Sequence, residues 1–264
     1  MLLTIEIGNS KISFGLFDDD RMVYNFQVAT DLKKTSDEYV VTINSILLYH
    51  GTDRTYIDAA VICSVVPQLT EVITAAVRQL SGVQAMIVGK GIKTGFPIKI
   101  DNPADLGADL VANAAAVIDI RNKENKKDVP CIIIDMGTAT TIFAINAKGE
   151  YVGGSILPGV GISLDALRGK TAQLPTVTPL VPTRAIGKNS QESVRSGVIL
   201  GNAIMIDGFI RRFEQEMKCH SNAEVFVTGE YAQAVISACE HIMRYIPMLT
   251  LMGLYCIYKN NIKA

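Results

Sequence analysis

The sequence predicts an α/β protein built twice over. Short apolar runs that stop at Gly, Ser or Pro alternate with longer stretches of helical periodicity, which is the α/β signature. The chain also matches itself at a fixed shift. Sliding the 264 residues by 129 lays Ile5-Glu6-Ile7-Gly8-Asn9 on Ile134-Asp135-Met136-Gly137-Thr138, and Phe14, Leu16 and Val23 on Phe143, Ile145 and Val152. Two similar sheet units follow from this, each opened by a β-hairpin whose tip carries a carboxylate and a Gly, with a cleft between the two halves.

The elements fall in order. Residues 2–7 (LLTIEI) are an apolar run halted at Gly8, and an alternating strand then reaches a polar turn at Asp18 to Arg21. Helical periodicity covers 36–49 and 68–80, separated by a strand at 59–63 and followed by one at 85–88. A helix is expected over 108–122. The strongly polar connector Arg121 to Asp128 (RNKENKKD) reads as a solvated loop and divides residues 1–122 from 129–264. The second half repeats the opening with a strand at 131–134, an alternating strand and a turn at Asn146 to Gly149. Helices over 190–217, 231–238 and 248–258 and a strand at 225–227 complete it. Ser196-Gly197 and Gly201-Asn202-Ala203 put small residues about one turn apart, which permits close helix approach within a subunit or between two.

Composition narrows the function classes. With 25 Lys and Arg against 26 Asp and Glu, the formal net charge is −1, without the cationic excess that a general nucleic-acid binder needs. Hydrophobic residues form 48% and charged residues 19%, which suits a folded chain with a large core. Five Cys, at 63, 131, 219, 239 and 256, contain no C-x-x-C pair, so inert thiols in a reducing cytoplasm are expected rather than disulfides or zinc. His50, His220 and His241 form no nucleophilic set with Ser, Cys or Asp and read as satisfied or solvated. The opening MLLTIEIGNS lacks the features of a signal peptide, and no apolar run reaches the roughly 18 residues that span a bilayer. A cytoplasmic protein without membrane or nucleic-acid partners is the expectation.

The hairpin tips suit phosphate chemistry. Small residues let backbone N–H groups approach an anion, and Gly8-Asn9-Ser10 and Gly137-Thr138-Ala139 supply two such turns. A carboxylate before each, Glu6 or Asp135, can hold Mg²⁺ or another hard cation that bridges phosphate oxygens, and Ser10, Ser13, Thr138, Thr140 and Thr141 add hydroxyls. Two turns clamping one polyphosphate make an ATP site, whereas either alone is as readily a plain hairpin. Val225-Phe226-Val227-Thr228-Gly229 offers a strand end for a base or ribose, and Gly153 to Gly159 is either a ligand-approaching segment or a tight connection. In DNPADLGAD at 101–109, Asp109 opens a helix and is a candidate general base, with Gly107 and Ala108 leaving room for a substrate; the same residue also reads as a first-turn helix carboxylate.

The ordered set EIGNS at 6–10, SVVP at 64–67, DNPADLGAD at 101–109, DMGTATT at 135–141, GGSILPG at 153–159, KTAQLP at 170–175, IGKNS at 186–190 and SGVILG at 196–201 resembles type III pantothenate kinase, also called the Bvg accessory factor family. The resemblance runs nearly the full chain. It implies the acetate and sugar kinase/Hsc70/actin-like (ribonuclease H-like) fold, a homodimer with a dimerisation helix in the second half, and active sites at the subunit interface. The implied reaction is ATP-dependent 4′-phosphorylation of pantothenate, the first step of coenzyme A biosynthesis, with Mg²⁺ and a monovalent cation, K⁺ or NH₄⁺. Carried onto this chain, the ATP loop falls on Glu6, Ile7, Gly8, Asn9, Ser10, Lys11, Ile12 and Ser13, with Thr138 as a second ATP contact. The base falls on Asp109, the substrate contacts on Ile100, Gly107, Ala108, Asp109, Leu110 and Ser190, and the monovalent-cation ligand on Asp135.

Five positions depart from the family pattern: Glu6 stands where Asp is usual, Leu110 for Arg, Ile100 for Tyr, Ser190 for Thr and Glu230 for Gly. Glu6 keeps the carboxylate and Ser190 the hydroxyl, whereas Leu110 and Ile100 make the acceptor pocket more apolar. The readings that follow are an active pantothenate kinase, a kinase for another small hydroxylated acceptor, or a weakened or silent paralogue with a binding or regulatory role.

Overall fold

The computed structural model describes residues 1–219 and 222–262, and it divides into two compact units. His220 lies outside the described residues. The first unit comprises residues 1–95, 102–120 and the segment from Leu249 onward, and the second comprises 96–101 and 121–248.

In the first unit β1 (Leu2–Ile7), β2 (Lys11–Asp18) and β3 (Arg21–Ala29) form an antiparallel meander, and β4 (Ala59–Ser64) and β5 (Met86–Ile87) extend it in parallel on the other side of β1. The order is β3-β2-β1-β4-β5. β1 and β4 are almost wholly buried because strands covered on both faces need apolar residues at consecutive positions. β3, at the edge, alternates exposed and half-buried. α1 (Ser36–Tyr49) begins at a capping box in which Thr35 Oγ1 accepts from Glu38 N–H and the Glu38 carboxylate accepts from Thr35 N–H. α2 (Pro67–Ser81) starts with Pro at its first position and stops at Gly82, whose φ of 74° ends the helix in the left-handed conformation. Tyr39, Ile43 and Leu47 of α1 and Leu69, Ile73 and Val77 of α2 pack into one core with Leu3, Ile5 and Ile62 of the sheet.

The second unit repeats this plan. β6 (Cys131–Met136), β7 (Ala139–Ile145) and β8 (Tyr151–Pro158) form the meander, and β9 (Glu224–Thr228) and β10 (Arg244–Tyr245) extend it in parallel, giving β8-β7-β6-β9-β10. The order matches that of the first sheet strand for strand, so the self-similarity in sequence is a duplication of topology. The Gly153–Gly159 segment, left open in the sequence, is mostly strand: it forms β8, in which Gly154 lies so close to β7 that a Cβ would stand 2.2 Å from Ile142 O.

Several features differ from the sequence expectation. α4 (Val160–Lys170) follows β8 without a periodic signal, since Gly161 and Gly169 interrupt its pattern. The 190–217 helix is α5 (Ser190–Arg195), one π-helical turn over Ser196–Leu200, and α6 (Gly201–Glu216), and the helix expected over 231–238 is the shorter α7 (Ala232–Ile236). The Ser190–Glu216 run is long and apolar enough by length and composition to cross a membrane, and half of its apolar window is buried in the protein. The 121–128 connector is not simply solvated: Arg121 is 2% exposed, and its guanidinium donates to the carbonyls of Lys127 and Val129 and to Cys131 Sγ. Lys126 pairs with Glu224 and Glu124 with Arg244, so the connector is tied to β9 and β10 by ion pairs.

The division into units also departs from two consecutive halves. α8 (Leu249–Ile262) packs on β1, β2 and β4 of the first unit. Gly253 permits this, because a Cβ there would stand 1.7 Å from Ala112 O on α3 (Ala108–Lys123). Beside it, Thr250 Oγ1 donates to Asn113 Oδ1 at 2.9 Å, both side chains being buried.

Candidate active site

In the first unit Glu6 is the penultimate residue of β1, opposite Ser13 on β2 and Cys63 on β4. Gly8, Asn9 and Ser10 form the turn into β2, closed by Gly8 N–H donating to Lys11 O at 3.0 Å. Asn9 and Ser10 are exposed, so ligand access to the turn is open. Ile7, Ile12 and Ser13 lie in the strands; the two isoleucines are buried, and Ser13 Oγ accepts from Gln27 at 3.2 Å. These three hold the turn in place rather than line it.

Asp109 stands in the first turn of α3, where the helix dipole favours the carboxylate. Burial nevertheless pushes its carboxyl above the ordinary 3.8, against the opposing pull of the N–H groups of Leu110 and of Asp109 itself. A partly desolvated carboxylate that binds protons more readily than usual is suited to accept one. Gly107 has a different role from the one expected. A Cβ there would meet Asp109 Oδ1 at 2.5 Å, so the space at Gly107 is filled by the carboxylate and is not left for a substrate. Ala108 and Leu110 flank it, both half-buried.

Cys63 lies with this group, which its place in the AAVICS run does not reveal. Burial pushes its thiol well above the ordinary range, and the nearby Glu6 and Asp109 carboxylates add to the effect. The parallel pairing of Glu6 with Cys63 would have revealed it, had the register of LLTIEI against AAVICS been assigned.

In the second unit Asp135 has the position on β6 that Glu6 has on β1, with Thr141 opposite on β7 and Thr228 beside it on β9. Directly paired residues project to one face, so two hydroxyl-bearing side chains flank the carboxylate. The Thr141 hydroxyl is buried without a hydrogen-bond partner. Thr138 is exposed in the β6–β7 turn. Gly159, which caps α4, presses on that turn: a Cβ would meet Thr138 O at 2.4 Å and Gly137 O at 2.8 Å. Gly229, at φ 100°, lies against the Met136 backbone, and Gly161 against Tyr231, so the turn, the start of α4 and the end of β9 converge.

Ile100 is half-exposed, with its Cγ2 3.8 Å from a Cβ position on Gly153. Ser190 is the exposed first residue of α5, after Asn189, which caps the helix by accepting from Glu192 N–H at 2.9 Å. Glu230 is exposed beside Gly229. Among the described residues no three His, Cys, Asp or Glu side chains are grouped as a metal site. His241 is satisfied, its Nδ1 lying 2.7 Å from Asp207 Oδ1.

Comparison with known proteins identifies the family of the chain. A family model described as type III pantothenate kinase matches residues 2–212. The type III pantothenate kinase of Moorella thermoacetica is 40% identical over 261 residues, covering 99% of this chain and 100% of the relative. That of Thermobifida fusca is 38% identical over 263 residues, with coverage of 99% and 100%. Among solved structures, a Baf family protein from Campylobacter jejuni shares 17% identity at a TM-score of 0.63, covering 99% of this chain and 100% of that one. Component A of (R)-2-hydroxyglutaryl-CoA dehydratase from Acidaminococcus fermentans shares 15% identity at a TM-score of 0.51, with 98% of each chain covered. These two likenesses concern the fold, which is the duplicated α/β fold of actin-like ATPases and sugar kinases. With relatives this similar over the whole length, the chain belongs to the type III pantothenate kinase family.

Proposed function

We propose that the protein transfers the γ-phosphoryl group of ATP to the primary hydroxyl of pantothenate, giving 4′-phosphopantothenate for coenzyme A synthesis. The observation that carries the reading is Asp109, a carboxylate made more basic by burial and placed by α3 within the family's DNPADLGAD stretch. Asp109 takes the hydroxyl proton as the oxygen attacks phosphorus. Phosphoryl transfer asks little more of a protein than positioning and charge stabilisation. Backbone N–H groups of the Gly8–Lys11 turn and the Thr138 hydroxyl contact the nucleotide phosphates, with Glu6, Ile7, Ile12 and Ser13 holding that turn from the strands. Ile100, Gly107, Ala108, Leu110 and Ser190 belong to acceptor recognition, Gly107 through the position it gives Asp109.

A monovalent cation, K⁺ or NH₄⁺, fits Asp135, since the unpartnered Thr141 hydroxyl opposite it is an oxygen ligand without another role. Mg²⁺ fits a site with few protein carboxylates, because it keeps several waters and is held mainly by substrate phosphates. When bound, these ions neutralise charge on the phosphates. A homodimer is supported by the 190–216 helix: Gly197, Gly201 and Gly208 meet nothing within 4 Å of a Cβ position, and Ile204 between them is 68% exposed. A cytosolic location suits the five free thiols.

The test is ADP release by the purified protein in K⁺ with and without pantothenate. Pantothenate-dependent ADP is expected, and its absence in active-site-intact protein overturns the reading. Leu110 favours a second reading, phosphorylation of a different small alcohol, because a half-buried apolar side chain follows the base. A panel of hydroxylated acceptors, with Leu110→Arg beside the parent, separates the two.

A further inference from the structure

We infer that Thr30 is a positioning residue for the phosphate turn, a role that rests on the ATP reading of Gly8 to Ser13. Thr30 follows the last residue of β3 and holds the turn at two points. Its Oγ1 donates to Gly8 O at 2.6 Å, and its backbone N–H donates to Ser10 O at 3.1 Å. In a planar trans peptide the C=O and the next N–H point in opposite directions. Drawing the Gly8 carbonyl toward Thr30 therefore turns Asn9 N–H away from it, and drawing the Ser10 carbonyl does the same for Lys11 N–H. Two N–H groups of the turn are thus aimed to one side, the arrangement by which backbone binds an anion.

The anchor is itself fixed. Tyr39 of α1, fully buried, donates its hydroxyl to Asp31 O at 3.0 Å and accepts from Asp31 N–H at 3.3 Å. The segment after β3 is thereby held against the helix, and Thr30 is presented to the turn from a rigid support. The Thr30 hydroxyl is the one side-chain element in this chain of contacts that touches the turn, so it can be removed without disturbing the ladder bond made by its backbone. Thr30→Val keeps the branched shape and deletes the donor; Thr30→Ser keeps the donor.

The experiment measures ATP affinity by calorimetry and steady-state kinetics with ATP and pantothenate varied separately. For Thr30→Val, ATP binding and KM for ATP should weaken about five-fold, the worth of one net hydrogen bond, while KM for pantothenate stays put. Thr30→Ser should recover most of the ATP affinity. A role confined to stability would lower Tm in Thr30→Val and leave ATP affinity of the folded protein unchanged, and that result overturns the inference. An equal rise in both KM values also overturns it. If the parent binds ATP but phosphorylates no pantothenate, the acceptor assignment fails while the Thr30 inference is still decided by the calorimetric shift. A parent that binds no ATP overturns both.

Discussion

Replacing Gly107 by Ala puts a methyl group where the Asp109 carboxylate now sits. The new Cβ would lie 2.5 Å from Oδ1, and relief even to a tight contact of 3.0–3.4 Å requires the oxygen to retreat by roughly 0.5–0.9 Å. The carboxylate is the far end of a side chain, so it yields by rotation and the backbone need not move. Two effects on stability then oppose one another. Ala is the poorer residue at the start of a helix, by about 1 kcal/mol, and it restricts the unfolded chain in compensation by ~0.4–1 kcal/mol. The net change is small, and the variant should melt close to the parent. Catalysis is less tolerant, because a 1 Å misplacement of a catalytic group costs on the order of 100-fold. We expect kcat to fall roughly 10- to 100-fold with KM for pantothenate nearly unchanged, measured by coupled ADP release at saturating ATP. An unchanged kcat would show that Asp109 is not the base or that its position is immaterial. A raised KM with normal kcat would instead return Gly107 to the role of substrate clearance.

Asp109→Asn should lower kcat by at least about 100-fold, the usual worth of a general base. Its stability effect has a definite sign: burial raises the folded carboxyl above 3.8, so its stabilising contribution is present below that pH and is lost as pH rises through the raised value. The Asn variant should therefore melt above the parent at neutral pH, and in the parent kcat should fall with acid at a pH above the ordinary Asp range. Gly253→Ala sets a gain of about 1 kcal/mol in helix propensity against a methyl forced to 1.7 Å from Ala112 O. The clash wins, with a net loss of roughly 2 kcal/mol in urea unfolding; a stabilised variant would refute the close approach of α8 to α3. At Asp207 burial acts to raise the carboxyl, but the N–H of Glu240, the His241 ring and the His241 N–H outweigh it and hold it below 3.8. Its contribution is present above that value and lost as pH falls through the depressed one, so Asp207→Asn should lower Tm at pH 7 and converge on the parent in acid.

Much of the fold is legible because the sheet residues are local statements. Leu2–Ile7 is strand from end to end, as its unbroken apolar run and the following Gly require, and Ser36–Tyr49 is helix over the predicted span. The hairpin tips were found through the repeat, which outlasts drift at single positions such as Glu6 against Asp135. What escaped was decided elsewhere in the chain. β8 hides behind Gly153 and Gly154, whose absent side chains serve contact with β7. α4 has two glycines and no clear apolar stripe, and it is held by its position after β8. Nothing in 249–262 says which sheet the helix will cover. The proposed site divides in the same way: Asp109, Asp135 and Thr138 are legible by residue type and turn context, while Thr30 and Cys63 become visible only through partners distant in sequence.

The placement of α8 bears on how the protein comes into being. Residues 1–95 are synthesised well before α8, the helix that packs on β1, β2 and β4. Contacts of such long sequence separation form late and slowly. The unit that carries Asp109 thus remains unfinished until residues 249–262 have been made, with part of its sheet awaiting cover. A chain truncated before residue 249 would lack that cover, so synthesis through α8 is built into the competence of the unit.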